Sequence, residues 1–450
     1  QKGPLSIEQV VKWGVQSAQG LGAAAEKGIV HRDVKPANLM LHQGNVKVSD
    51  FGIAHLAGLA QMTVTGQILG SPAYMSPEQL EASHPKRDRT AADLDAAFPT
   101  NPVILLHVSG HMLVANSAAL RLGGITAATK DPEGGTIIRK HGSREPEGLL
   151  QETGMYFLKD AIKAPRAIEV DLDLLKRALA QYTENGYTTA QEGMLFEEKR
   201  PLLERAAKDS VLTIDVVALP SYVHAKELVG TGALPWGTYS NHLKYAGIKL
   251  ALDGSPQGKT AYLTSPYLTP VPGCTHDCRG FPTMGQADVN ALFTLCYRNH
   301  VQLYSHCNGD AAIDMMIAAH QAAEKALGGA HADRRTVIIH SQVIRPDQVQ
   351  AYRTFGLVPS YFSNHTYYWG DEHLANLGPE RAAFISPLKS TLALGVRATN
   401  HTDASVTPLD PLFLRQTSRL GEFMPFLFLG LVVLNLVAGF QALGTLMAVG

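Results

Sequence analysis

The sequence predicts an α/β chain organised on a parallel (β/α)8, TIM-like barrel. Three observations lead there. Short apolar or β-branched runs alternate with helical patterns through most of the chain, as parallel βα units do. Three of the runs end in His or Asp: Leu303-Tyr-Ser-His306, Val337-Ile-Ile-His340 and Ala398-Thr-Asn-His-Thr-Asp403. Small or polar residues follow each of them, and a barrel carries its chemistry where the chain leaves the C-terminal strand ends. Finally, 450 residues with 45% hydrophobic and 18% charged content suffice for a large core and more than one domain.

The bulk properties narrow the function. A net charge of -1 gives no electrostatic footprint for nucleic acid. Four cysteines argue against a disulfide scaffold and suit a reducing, cytoplasmic setting. Cys274 and Cys278, with His276 between them, read as a metal knuckle or as an ordinary loop; no second pair stands at zinc-finger spacing. The first residues, Gln1-Lys-Gly-Pro-Leu, start no signal peptide.

Residues 1–83 form the first segment. Apolar positions Val10, Val11, Val15, Leu21 and Ala24 predict an amphipathic helix over 9–27. His31-Arg-Asp-Val-Lys-Pro-Ala-Asn38, a strand at 45–49, Asp50-Phe-Gly52 and Gly70-Ser-Pro-Ala-Tyr-Met-Ser-Pro-Glu78 follow in order. With those spacings the segment resembles the catalytic and activation loops of a bacterial Ser/Thr protein kinase. The resemblance implies that Asp33 accepts the substrate hydroxyl proton, Lys35 steadies the phosphoryl group, and Asn38 and Asp50 hold Mg²⁺ with ATP. Thr63 and Thr65 fall where activation-loop phosphorylation sites stand, and Glu78 closes the activation segment. No Gly-rich phosphate loop or strand lysine precedes these motifs, and the helical half of the large lobe does not continue after Glu78. The segment reads as a partial large-lobe fragment, and Mg-ATP is expected only if it functions.

Residues 84–412 carry the barrel. Strands are predicted at 103–107, 188–191, 213–217, 247–252, 302–304, 336–339, 357–360 and 397–400. Helices are predicted at 171–185, 288–299, 311–327 and 346–354 between them. The words Ser109-Gly-His-Met-Leu-Val-Ala-Asn-Ser-Ala-Ala-Leu120, Leu252-Asp-Gly-Ser-Pro-Gln-Gly-Lys-Thr-Ala261, His306-Cys-Asn-Gly-Asp-Ala-Ala-Ile-Asp314, Ile339-His340 and Thr402-Asp-Ala-Ser-Val-Thr-Pro408 stand along this stretch. On these it resembles the metal-dependent amidohydrolase superfamily, in its amidohydrolase 3 branch of N-substituted formamide deformylase-like proteins.

That resemblance implies a divalent metal, zinc first, and a small amide-type substrate. His306 and His340 would be ligands on the fifth and sixth strands. Asp403, after the eighth, would bind metal and take the proton from the attacking water. Lys249 lies where some members carry a carboxylated, metal-bridging lysine. His111, Asn116 and His365 would face substrate, and Asp310 and Gln342 would orient the ligand imidazoles. His42, His55, His141, His331 and His373 read as surface or satisfied core residues. The superfamily's first strand ends in His-x-His, and no such pair occurs in the 450 residues. The expectation is therefore an incomplete barrel, with an impaired metal site unless another chain completes it.

Residues 413–450 form the third segment. No charge follows Glu422, and 423–450 is long and apolar enough for a transmembrane-like helix and membrane contact. Val433-Leu-Asn-Leu-Val-Ala-Gly-Phe resembles a piece of a metal-type ABC transporter permease. Three partial resemblances in series imply a composite frame. The leading expectation is a metal-dependent hydrolase of non-peptide carbon–nitrogen bonds. The alternatives are a Ser/Thr kinase fragment and a non-catalytic membrane-anchored fusion.

Overall fold

The computed structural model describes residues 7–25, 29–30, 39–42, 45–48, 55–56, 90–107, 109–158, 167–329, 333–404, 406–407 and 409. The chain divides into two units, Gln1–Pro99 and Thr100–Gly450, later than the change of character at His84.

In the first unit the predicted helix and strand form as α1 (Ile7–Ala25) and β3 (Asn45–Val48). β1 (Ile29–Val30) pairs with β4 (His55–Leu56), and β2 (Leu39–His42) pairs with β3, both antiparallel. Gln16 ties helix to hairpin: its Oε1 accepts from the Val46 N–H at 2.9 Å, and its Nε2 donates to Asn45 Oδ1 at 2.8 Å. α2 (Ala91–Ala97) starts after Thr90, whose N–H donates to Asp93 Oδ2 at 2.9 Å. That contact satisfies one of the amides at the helix start. Asp33, Lys35, Asn38, Asp50, Thr63, Thr65 and Glu78 lie outside the described residues.

The second unit opens with an antiparallel sheet of β5 (Ile104–Leu106), β6 (Met112–Ala115), β7 (Gly135–Arg139) and β8 (Pro146–Glu152), in the order β5-β6-β8-β7. This corrects the reading of 103–107 as a buried barrel strand. Leu105 and Leu106 sit on an edge strand and are 45% and 66% exposed. A short apolar run does not by itself distinguish a parallel from an antiparallel partner.

The barrel strands follow. β9 (Thr189–Leu195) and β10 (Asp215–Pro220) pair in parallel. β11 (Tyr239–Ser240) turns back on β12 (Leu243–Tyr245), which adds in parallel to β10. β13 (Gly247–Ala251), β14 (Gln302–Cys307), β15 (Val337–His340), β16 (Val358–Tyr361) and β17 (Thr399–Asn400) form a five-stranded parallel sheet in chain order. A parallel bridge between Ser221 and Lys249 joins the two arcs. Seven of the eight predicted strand positions thus carry barrel strands. Among the described residues none lies between β17 and β9.

Alternation sorts the side chains. In β13 and β14, Ile248, Leu250, Leu303 and Cys307 face outward into a core shared with Val289, Phe293, Met316 and Ala319 of the covering helices. Lys249, Tyr304 and His306 alternate with them and face the barrel interior.

Two further expectations meet the structure. Cys274 and Cys278 form a disulfide within an irregular loop, which corrects the metal-knuckle reading, while Cys296 and Cys307 are free and buried. Among the described residues no helix is long and apolar enough to cross a membrane. The apolar segment 423–450 lies outside them.

Candidate metal centre

The centre is built at the C-terminal ends of β14 and β15. His306, inward on β14, is 5% exposed, and His340, last in β15, is 6% exposed. Register alone would not bring them together. His340 stands opposite Cys307, which points outward into the core, and in-register residues of parallel strands share a face. The backbone solves this at His340, where φ is +71°, with Ser341 following at +45°. The turn carries the His340 ring inward, to 4.6 Å from the His306 ring, edge to face. Such left-handed non-glycine residues cluster at functional sites.

Each ring is held from behind. His340 Nδ1 lies 3.0 Å from His401 Nε2, and His401 Nδ1 lies 3.0 Å from Ser360 Oγ. Asn308 Nδ2 donates to His306 Nε2 at 3.3 Å. His306 Nδ1 is 3.3 Å from Asp253 Oδ1, yet is not aligned for a hydrogen bond. Asp253 is fully buried, and its carboxylate accepts from the N–H groups of Tyr262, Asn308 and Gly309 at 3.0, 2.9 and 2.7 Å.

Burial sets the protonation states. It drives His306, His340 and His365 well below the usual imidazole range, with repulsion from neighbouring imidazoles adding to the effect and Lys249 adding further at His306 and His340. His401 falls to about 3 for the same reasons. The rings are therefore neutral, the form that ligates metal. Burial also lowers Lys249 to about 8, against the pull of Asp403. It raises Asp253 to about 7, opposed by its three N–H donors and His111.

The other predicted residues fall into two groups. His111 joins the centre: its ring lies 5.0 Å from that of His306, and its Nδ1 is 2.9 Å from Glu152 Oε2. Burial works to lower the pKa of His111, but Glu152 outweighs it and the net shift is upward. His365 also joins, 3% exposed, with its ring 6.5 Å from His340 and stacked on His373 at 5.7 Å. Lys249 faces the interior and is 7% exposed.

Asp403 lies exposed beyond β17 with φ +51°, and its charge raises the pKa of Lys249 and of His111. Burial raises its pKa, opposed by Lys249, His306 and His111. Asn116, read as substrate-facing, instead caps a helix. Its Oδ1 accepts from the N–H groups of Val103 and Ala119, and its Nδ2 donates to Asn101 O. Asp310 is taken up by Thr264 and Arg345. Gln342 contacts His373, 2.8 Å between their Nε2 atoms, rather than a ligand ring.

The residues that sequence reasoning missed are Asp253, Glu152, Asn308, His401 and His373. Asp253, Asn308 and His401 lie inside the family-like motifs, whereas nothing around His373 in the sequence distinguishes it from a surface or core histidine. A separate open cavity, lined by Thr264, Arg279, Gln286 and Asp314 among others, contains none of the clustered histidines.

A divalent ion fits these residues only in part. Two neutral imidazoles face each other, but a catalytic ion takes three protein ligands. Among the described residues no group of three His, Cys, Asp or Glu side chains could hold one.

Comparison with known proteins agrees with this framework. The amidohydrolase family model matches residues 70–417, and the chain belongs to that family, a hydrolase by ancestry. A protein kinase domain model matches residues 1–94. The putative amidohydrolase YtcJ of Bacillus subtilis is 24% identical over 337 residues, 72% of this chain and 59% of that protein. Protein LONG AFTER FAR-RED 3 of Arabidopsis thaliana is 26% identical over 320 residues, 68% of this chain and 53% of that protein. The chain thus spans little more than half of these relatives. Serine/threonine-protein kinase PknL of Mycobacterium tuberculosis is 35% identical over 123 residues, 27% of this chain and 29% of that protein. An uncharacterized metal-dependent hydrolase from Pyrococcus horikoshii superposes with a TM-score of 0.54 at 21% identity, covering 72% of this chain and 60% of that one. That likeness supports the barrel fold.

Proposed function

We propose that the chain is a hydrolase of non-peptide carbon–nitrogen bonds in small amide- or formamide-type substrates. His306 and His340 hold part of a divalent metal site, zinc first, and the remaining ligands come from a strand supplied by another segment or chain. The observation that carries this reading is the pair of buried, neutral imidazoles turned toward each other at adjacent C-terminal strand ends. Lys249 and Asp403 are the further candidates for the ion, and His111 and His365 for the substrate. With the donor set short, the chain by itself binds metal weakly and turns over little.

The test is zinc content after gel filtration, together with formate or carboxylate release from a panel of N-formyl and N-acyl amines. Substoichiometric zinc, removed by His306→Ala and sparing the fold, is expected. Stoichiometric zinc that survives His306→Ala and His340→Ala would place the ion elsewhere and sink the reading.

A second reading is favoured by the kinase match over residues 1–94. Asp33, Lys35, Asn38 and Asp50 would serve Mg-ATP in phosphoryl transfer where the rest of a kinase fold is present. Phosphate transfer from labelled ATP that disappears in Asp33→Ala would support it. No transfer in the wild type would remove it.

A further inference from the structure

We propose that Glu152 is a positioning residue that keeps a proton on His111 Nδ1, leaving His111 Nε2 as the atom offered to substrate; this rests on the hydrolase reading above. Three independent features single out Glu152. Its Oε2 lies 2.9 Å from His111 Nδ1, and its side chain is 7% exposed, so the contact is shielded from competing water. A carboxylate oxygen only accepts, so the proton of this bond belongs to the imidazole.

Next, Glu152 ends β8 with φ +50°, an unfavourable conformation for a non-glycine residue. Its own N–H donates to His111 O at 2.9 Å, so backbone and side chain both engage the same histidine. A strained residue bonded twice to one partner is placed by that partnership rather than by strand propensity.

The last feature is room made on the opposite side. A Cβ on Gly254 would collide with Glu152 Oε1 and with Thr260 Oγ1. The glycine of Leu252-Asp-Gly-Ser-Pro-Gln thus admits the carboxylate. Among the described residues Oε1 is buried there with no hydrogen-bond partner, a costly arrangement for a carboxylate that serves packing alone. The His111 ring meets the His306 ring at 5.0 Å, so the oriented imidazole borders the candidate centre. The pairing repeats the logic by which a carboxylate fixes the tautomer of a working histidine.

The experiment is nitrogen-15 histidine NMR of the full chain at mildly alkaline pH, with His111 assigned by the loss of its signals in His111→Asn. The expected wild-type pattern is a protonated Nδ1 and a bare Nε2. Glu152→Leu, which leaves Nδ1 no acceptor, should switch it to the Nε2–H form that free imidazole prefers, and Gly254→Ala, which displaces the carboxylate, should do the same. A wild-type His111 already in the Nε2–H form overturns the proposal, even if neither variant folds. So does an unchanged pattern in a folded Glu152→Leu protein, since a purely structural glutamate would lower thermal stability and leave the tautomer alone. Failure of amide hydrolysis in the wild type would count against the hydrolase reading and leave the tautomer result as measured.

Discussion

His340 shows what a strand-end histidine needs before it can serve a site. Its place at the end of β15 was legible from the apolar run before it. Its inward turn was not, because register sends the position outward and only the left-handed backbone at His340 and Ser341 reverses that. Burial of neighbouring rings has a second consequence, in acid. Burial lowers His373 from 6.5 to about 4 and His401 to about 3. Below about 6.5 the unfolded histidines take up protons while the folded ones do not, so the unfolded state gains. Stability is therefore full above pH 6.5 and falls as the pH drops toward 4 and then 3. His373 alone accounts for on the order of 3 kcal/mol of that loss. Urea midpoints measured down this range should decline, and His373→Leu should flatten the decline; a flat profile in the wild type would contradict neutral burial. Lys249 acts at the alkaline end. Its folded pKa of about 8 lies below the usual 10.5, so between those values the unfolded state holds the extra proton and stability rises with pH. Lys249→Met should stabilise the fold at neutral pH by about 1–3 kcal/mol and abolish that rise. Equal midpoints for the two proteins would mean that the amine is solvated.

Among the elements, periodicity placed the long helices and the central strands to within a few residues, since an apolar stripe against the core leaves a regular trace. It misassigned the run at 103–107, because partner direction is a property of the fold. It could not separate a polar residue that faces substrate from one that caps a helix. Asn116 is the instructive case: a motif made it a substrate residue, and three hydrogen bonds make it a clamp. The clamp ties the start of the helix Ser117–Leu122 to the residues leading into β5, and the side chain is fully buried. Asn116→Ala should cost about 1–3 kcal/mol, as cap loss and orphaned buried amides do. Thermal unfolding would measure it, and a change below a few tenths would show that water replaces the side chain. Metal content should not change, which separates the clamp from a ligand role.

At the scale of the whole molecule, the sequence holds no His-x-His pair, and among the described residues no strand lies between β17 and β9. Neither strand pairs on that side among the described residues, although the Tyr187 hydroxyl, just before β9, donates to Leu409 O at 3.0 Å beyond β17. Among the described residues that loop contact is made without a strand ladder. An unpaired edge leaves backbone N–H groups to water, whereas β14 and β15 have neighbours on both sides and a core with Leu303 and Ile338 fully buried. Protection from hydrogen exchange should follow that gradient, because local opening is cheapest where contacts are fewest. Peptides spanning β14 and β15 should exchange slowest, and those spanning β9 and β17 fastest among the barrel strands. Adding a chain that carries a strand able to pair between them should slow β9 and β17 selectively and raise zinc retention with them. Uniform protection of all seven strands in the chain alone would mean that the ring is already closed, and the search for ligands beyond His306 and His340 would then turn back to this sequence.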